Sequence, residues 1–195
     1  MLYWTIRSLF KVLLIFLGLK IEGLHKLPNK GPVIVAANHV SNWDPIVVAV
    51  ALKRQIHFMA KAQLFDIPLL GAILTRVNAF PVRRGTADRA AIRRALEILG
   101  EGQVLGIFPE GTRNKTGDIK AQSGVAMIAL KAGAPVLPVA CVGTRHLIPC
   151  GWRKPFIIRV GDPIYFENYK DRKMNSALLE EASTEVMEKI NSLLR

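Results

Sequence analysis

Apolar positions in this chain fall into two spacings, and the spacings predict its elements. Short apolar runs at 33–37, 57–60, 79–82, 104–108, 136–142 and 156–160 have the length and character of buried strands. Helical spacing recurs between them at 45–52, near 68–74, at 87–99 and at 124–131. The last of these opens after Gln122-Ser123 and ends at Ala132-Gly133-Ala-Pro135, glycine and then proline. Strands and helices in alternation predict an α/β fold with a mainly parallel central sheet and helices on its faces. A final stripe, Leu179, Ala182, Val186, Ile190 and Leu193, predicts a C-terminal amphipathic helix that packs on the core.

The first twenty residues stand apart. Leu2 to Leu19 is strongly apolar, with Tyr3 and Trp4 at its start and Arg7, Lys11 and Lys20 interspersed. Its uninterrupted run, Val12 to Leu19, is far shorter than the roughly 20 residues that cross a hydrocarbon core. No small-x-small cleavage site follows it. The expectation is a helix lying in the membrane interface, Trp4 near the headgroups and the Lys and Arg side chains snorkelling. A helix packed on the core is the conventional alternative. The chain therefore divides into an interface helix, 1–20, and one folded domain, 21–195, with no linker, repeat or low-complexity tract.

Composition narrows the partners. A formal charge of +12 and a pI near 10.1 call for something anionic. The basic residues are scattered, and neither zinc-ligand spacings nor an RNP-like aromatic block occurs, so nucleic acid is not expected. A phospholipid surface and a phosphorylated substrate account for the same charge. Two cysteines, Cys141 and Cys150, form no Cys-x-x-Cys pair, which suits a reducing compartment. The four histidines lack metal-binding spacing, and no metal is expected.

Two polar clusters follow apolar runs, where parallel-sheet enzymes keep their chemistry. The first is Asn38-His-Val-Ser-Asn-Trp-Asp44. His39 is a base near neutral pH, and Asp44 is a partner that could orient it. Five residues apart, the two would lie about 140° from each other on a helix, so they meet only across a turn. Ser41 and Asn42 favour a turn, and Asp44-Pro45 has the form of an N-cap followed by a first-turn proline. The residues alone leave two readings open: a catalytic pair, or a helix cap beside a loop histidine. The second cluster is Phe108-Pro-Glu-Gly-Thr-Arg113. There Arg113 offers a bidentate fork for phosphate, Gly111 permits close backbone approach, and Glu110 can accept from hydroxyls or order the arginine.

His39-x-x-x-x-Asp44 followed in order by Phe-Pro-Glu-Gly-Thr-Arg resembles the glycerolipid acyltransferase family, most closely its 1-acylglycerol-3-phosphate (lysophosphatidate) acyltransferase branch. Two further blocks resemble the family, Phe80-Pro-Val-Arg83 and Ala134-Pro-Val-Leu-Pro-Val139, and the likeness spans about residues 22–165. It implies transfer of a fatty acyl group from acyl-CoA or acyl carrier protein to the 2-hydroxyl of lysophosphatidate, giving phosphatidate for phospholipid biosynthesis. His39 would be the general base and Asp44 its orienting partner, with no acyl-enzyme. The substrate would be bound by Lys61, Arg83, Glu110, Gly111, Thr112 and Arg113, with Arg84 and Lys120 adding to the field. The thioester is a co-substrate, and no other cofactor is implied. The location implied is the cytoplasmic face of a membrane. Another lysolipid, or glycerol 3-phosphate, is the alternative acceptor. The chain departs from the family at Gln63, where relatives often have Glu, and at Lys120-Ala-Gln-Ser-Gly124, where many carry more lysines.

Overall fold

The computed structural model describes residues 2–83, 88–111, 122–147, 155–169 and 172–195. In chain order it runs α1 (Leu2–Phe16), β1 (Leu19–Glu22), β2 (Val33–Ala37), α2 (Asp44–Ala51), β3 (Ile56–Lys61), α3 (Pro68–Arg76), β4 (Phe80–Val82), α4 (Arg89–Gly100), β5 (Val104–Ile107), α5 (Gly124–Ala132), β6 (Val136–Val142), β7 (Phe156–Val160) and α6 (Ser176–Leu193). The strands form one sheet in the order β1-β7-β6-β2-β5-β3-β4. Strands β6, β2, β5, β3 and β4 are mutually parallel. Strand β7 runs antiparallel to β6, and β1 lies parallel to β7. The expected mainly parallel sheet forms, with an oppositely directed pair added at one edge.

Burial follows position in this sheet. Strands β2 and β5 are buried at every residue and β6 at all but its last, because helices cover both of their faces. Towards the edge, β7 alternates between buried and half-buried residues. The two faces make two cores. Val33, Val35 and Ala37 join Val139, Cys141 and Ile158 under α1 and α2. Ile34, Ala36, Leu105 and Ile107 face the other way, against α4, α5 and α6. The C-terminal helix buries Ala182, Val186 and Ile190 of its predicted stripe, while Leu179 and Leu193 are half-buried and Leu178 is buried in addition.

The amino terminus differs from its expectation in two ways. The helix stops at Phe16, and Leu19–Glu22 joins the sheet as β1. Its Leu-Lys-Ile-Glu sequence alternates apolar and charged residues, the period of an edge strand, and Gly18 at φ 96° makes the exit from the helix. Arg7, expected to snorkel, turns inward instead. Its Nε donates to Ala49 O at 3.1 Å, and its Nη2 donates to Val50 O at 3.1 Å and Leu52 O at 2.7 Å. These carbonyls end α2 and have no partner within the helix, so a guanidinium there satisfies them and opposes the helix dipole. With Tyr3 and Leu14 also buried, α1 is fastened to the domain along one side. Its other side is apolar and open, with Leu9 and Val12 each 72% exposed and Phe16 80%. Among the described residues no helix is long and apolar enough to cross a membrane.

Replacing Arg7 by methionine keeps the packing of its stem and strands three carbonyls. A loss of about 2 kcal/mol is expected from charged hydrogen bonds at a helix end. For a chain of this size that lowers the unfolding midpoint by roughly 4–8 °C, measurable by calorimetry.

Candidate active site

Parallel strands deliver their C-terminal ends to one edge of a sheet, the edge where open α/β sheets bind ligands. All the expected site residues that the structure describes lie there. His39 and Asp44 follow β2, Lys61 ends β3, Arg83 follows β4, and Glu110 and Gly111 follow β5. Thr112 and Arg113 lie outside the described residues, as do Arg84 and Lys120.

Asn38 and His39 are the first residues past β2, and both are buried. The Asn38 side chain donates from Nδ2 to Cys141 O at 3.1 Å and accepts at Oδ1 from Cys141 N–H at 2.7 Å. The chain then turns back on itself. Val40 N–H and Ser41 N–H donate to Asp44 Oδ2 at 2.7 and 2.6 Å, and Trp43 N–H donates to Ser41 Oγ at 3.2 Å. This turn closes the gap between residues five apart, and His39 Nδ1 sits 3.0 Å from Asp44 Oδ2. Ser41 is thus a turn-former, as its sequence setting suggests. The capping expectation for Asp44 needs correction. The residue preceding α2 is Trp43, which makes no side-chain cap, while the Asp44 carboxylate faces back into the loop. The donors gathered there claim it.

Asp44 is 0% exposed and His39 8%. The second carboxylate oxygen, Oδ1, accepts from Thr144 Oγ1 at 2.5 Å. An ionised carboxylate only accepts, and the backbone N–H groups on Oδ2 only donate. His39 Nδ1 therefore carries the hydrogen that faces Asp44. That tautomer leaves Nε2 with the lone pair of a base.

The second motif is bonded to the first. Glu110 Oε1 accepts from the backbone N–H of His39 at 3.1 Å, so its described bond goes to the main chain of the first motif. The ring of Phe108 stacks on the imidazole, centroids 4.3 Å apart at 26°, and Phe58 of β3 stacks on Phe108 at 5.8 Å and 13°. Phe58 fits because its register partner is Gly106, where a Cβ would run into the ring. At Gly111, φ is 67° and the Gln122 side chain fills the space a Cβ would need. Burial pushes the Cys141 thiol well up, and the charges of Asp44 and Glu110 push it further. It packs as a small residue of the core.

Lys61 pairs in register with Val82, so Lys61 and Arg83 sit at neighbouring strand ends. The N–H of Arg83 donates to Asp88 Oδ2 at 2.9 Å, and Asp88 Oδ1 caps α4 through Ala90 and Ala91. These bonds, Arg83's foremost, hold the Asp88 carboxyl below its usual range. The cap is therefore intact at neutral pH and weakens only as pH falls through that lowered value. A cavity of about 370 Å³ reaches from Arg83 to the turn at Phe108 and Gly111, with Met59, Ile107 and Met127 in its walls. Among the described residues no group of three or more His, Cys, Asp or Glu side chains comes together to hold a metal.

Comparison with known proteins places this edge in context. A family model described as Acyltransferase matches residues 18–142, well over half of the chain and both motifs. The chain belongs to the acyltransferase family. It is 32% identical over 184 residues to the 1-acyl-sn-glycerol-3-phosphate acyltransferase of Bacillus subtilis (strain 168), covering 90% of each chain. The enzyme of that name from Borreliella burgdorferi is 33% identical over 145 residues, which are 72% of this chain and 58% of that one. The crystal structure of the 1-acyl-sn-glycerophosphate (LPA) acyltransferase PlsC from Thermotoga maritima superposes with a TM-score of 0.73 at 29% identity, covering 98% of this chain and 78% of that chain.

The acyltransferase edge contains residues that sequence reasoning missed. Asn38 had a signal, since it stands beside His39 in the motif. Thr144 had only its place after a glycine at the end of a strand. Phe58 and Gly106 read as ordinary strand residues, yet their rings and space set where the imidazole lies. Gly106→Ala in this acyltransferase should displace Phe58 and, through Phe108, His39. Overpacking of about 1–3 kcal/mol is expected, with a fall in acyl-transfer rate. Combining it with Phe58→Leu should recover part of both losses, read by thermal unfolding and turnover.

Proposed function

We propose that this chain esterifies the 2-hydroxyl of lysophosphatidate with a fatty acyl group from acyl-CoA or acyl carrier protein, giving phosphatidate. The relatives' names support the acceptor. The observation that carries the chemistry is the buried Asp44–His39 pair, which fixes the hydrogen on Nδ1 and leaves Nε2 to act. An alcohol is a weak nucleophile, and its proton must leave as the new bond forms. The hydroxyl oxygen attacks the thioester carbonyl while Nε2 takes its proton, and Asp44 stabilises the imidazolium that results. The tetrahedral oxyanion then collapses, the C–S bond breaks, and the imidazolium returns the proton to the departing thiolate. Ester and free thiol leave, with His39 neutral again. The substrate contacts proposed are Lys61, Arg83, Glu110, Gly111, Thr112 and Arg113. Arg83 offers a planar fork for phosphate at the mouth of a mostly apolar cavity, an arrangement that suits a charged headgroup joined to a hydrocarbon tail.

The same reading assigns the protein to the cytoplasmic face of a membrane, where its substrate resides. The outward face of α1 supports this, being apolar on a chain of formal charge +12.

His39→Ala should lower phosphatidate formation on the order of a thousandfold without unfolding the protein. Assays supplying lysophosphatidate and a long-chain acyl thioester decide it, and full activity of the variant would remove His39 as the base. Joint replacement of Leu9 and Phe16 by glutamate should weaken sedimentation with anionic vesicles by about tenfold or more. Undiminished binding would count against this face as the docking surface.

A further inference from the structure

We infer that Thr144 is a positioning residue of the catalytic pair, acting through Asp44; this rests on the reading of His39 as the base. The carboxylate is held by two unlike sets of donors. Oδ2 accepts from the loop that Asp44 itself closes, namely His39 Nδ1, Val40 N–H and Ser41 N–H. Oδ1 accepts only from Thr144 Oγ1 among the described hydrogen bonds, at 2.5 Å and from a residue 100 positions away. Without that bond the carboxylate could rotate about its Cβ–Cγ axis, because every other described donor pulls on one oxygen. Thr144 pins the second oxygen and so fixes the plane in which Oδ2 meets the imidazole.

The bond is built into the fold. Thr144 is fully buried. It follows Gly143, whose φ of 78° ends β6 with a turn that a side chain would strain. The backbone carbonyl of Thr144 is taken by Leu147 N–H at 3.2 Å, which orders the segment from the other side. Strand β6 is also where the Asn38 side chain attaches. Both ends of the His39–Asp44 loop are therefore referred to one strand. A hydroxyl hydrogen bonded to a buried charge is worth more than one in water, and its removal leaves Oδ1 unsolvated.

The test uses Thr144→Val, which keeps the shape and removes the donor, beside Thr144→Ser, which keeps the donor. For Thr144→Val, kcat is expected to fall about tenfold while KM for both substrates stays within about twofold. Thr144→Ser should restore most of the rate. In an Asp44→Asn background, adding Thr144→Val should cost little further, since the two act as a unit. A Thr144→Val enzyme with unchanged kcat, or a serine variant equally slow, would overturn the role. A second readout does not depend on the acceptor. The downfield His39 Nδ1–H resonance of ¹⁵N-histidine-labelled protein should broaden or exchange faster in the valine variant and persist in the serine variant. If the parent makes no phosphatidate, the lysophosphatidate reading fails, and this resonance still decides Thr144. If Thr144→Val does not fold, the parent alone suffices: the buried Thr144 hydroxyl proton should exchange slowly, and its absence would refute the bond.

Discussion

A carboxylate with no contact to water must be solvated by the protein, and that requirement organises much of this molecule. Taking such a charge out of water costs several kcal/mol unless hydrogen bonds replace the lost hydration. For Asp44 the replacement comes from two backbone N–H groups, an imidazole and a hydroxyl. Meeting that demand shapes the loop from residue 39 to 44 and determines which histidine tautomer is present. It also explains why the side chain turns away from the helix it begins. The favourable helix dipole at the start of α2 adds to the same balance, and Arg7 completes it at the far end.

The second consequence is mechanical unity at this edge of the sheet. The loop after β2, the turn after β5 and the end of β6 could have been separate, each with its own freedom. They are joined instead by the Glu110 carboxylate on the His39 main chain, by the stack from Phe58 through Phe108 to the imidazole, and by the bonds of Asn38 to Cys141 and of Thr144 to Asp44. Such over-determination holds the imidazole in one position and orientation. The carboxylate of the second motif has a structural tie alongside any contact it makes with substrate.

How much of this could be read from the chain depends on the range of the interaction. The runs at 33–37, 136–142 and 156–160 coincide with strands because burial on one or both faces writes itself into consecutive residues. The four-residue strand Leu19–Glu22 was hidden by the apolar helix before it, which dominates any window that includes both. His39 and Asp44 were legible as a pair, but not the direction of the carboxylate, because one of its donors lies 100 residues away. Arg7 misled for a similar reason. A basic residue in an apolar helix looks like a surface anchor until the carbonyl ends of another helix are found beneath it.

Asn38 carries a quieter lesson. Its primary amide offers an N–H donor and an oxygen acceptor, as the main chain does, and it takes both the C=O and the N–H of Cys141. The side chain therefore supplies one more rung to the ladder between β2 and β6 after the main chain has left it. Sheet continuity and backbone path become independent at that point. The polypeptide is free to coil around Asp44, while the seam it leaves behind stays closed against water.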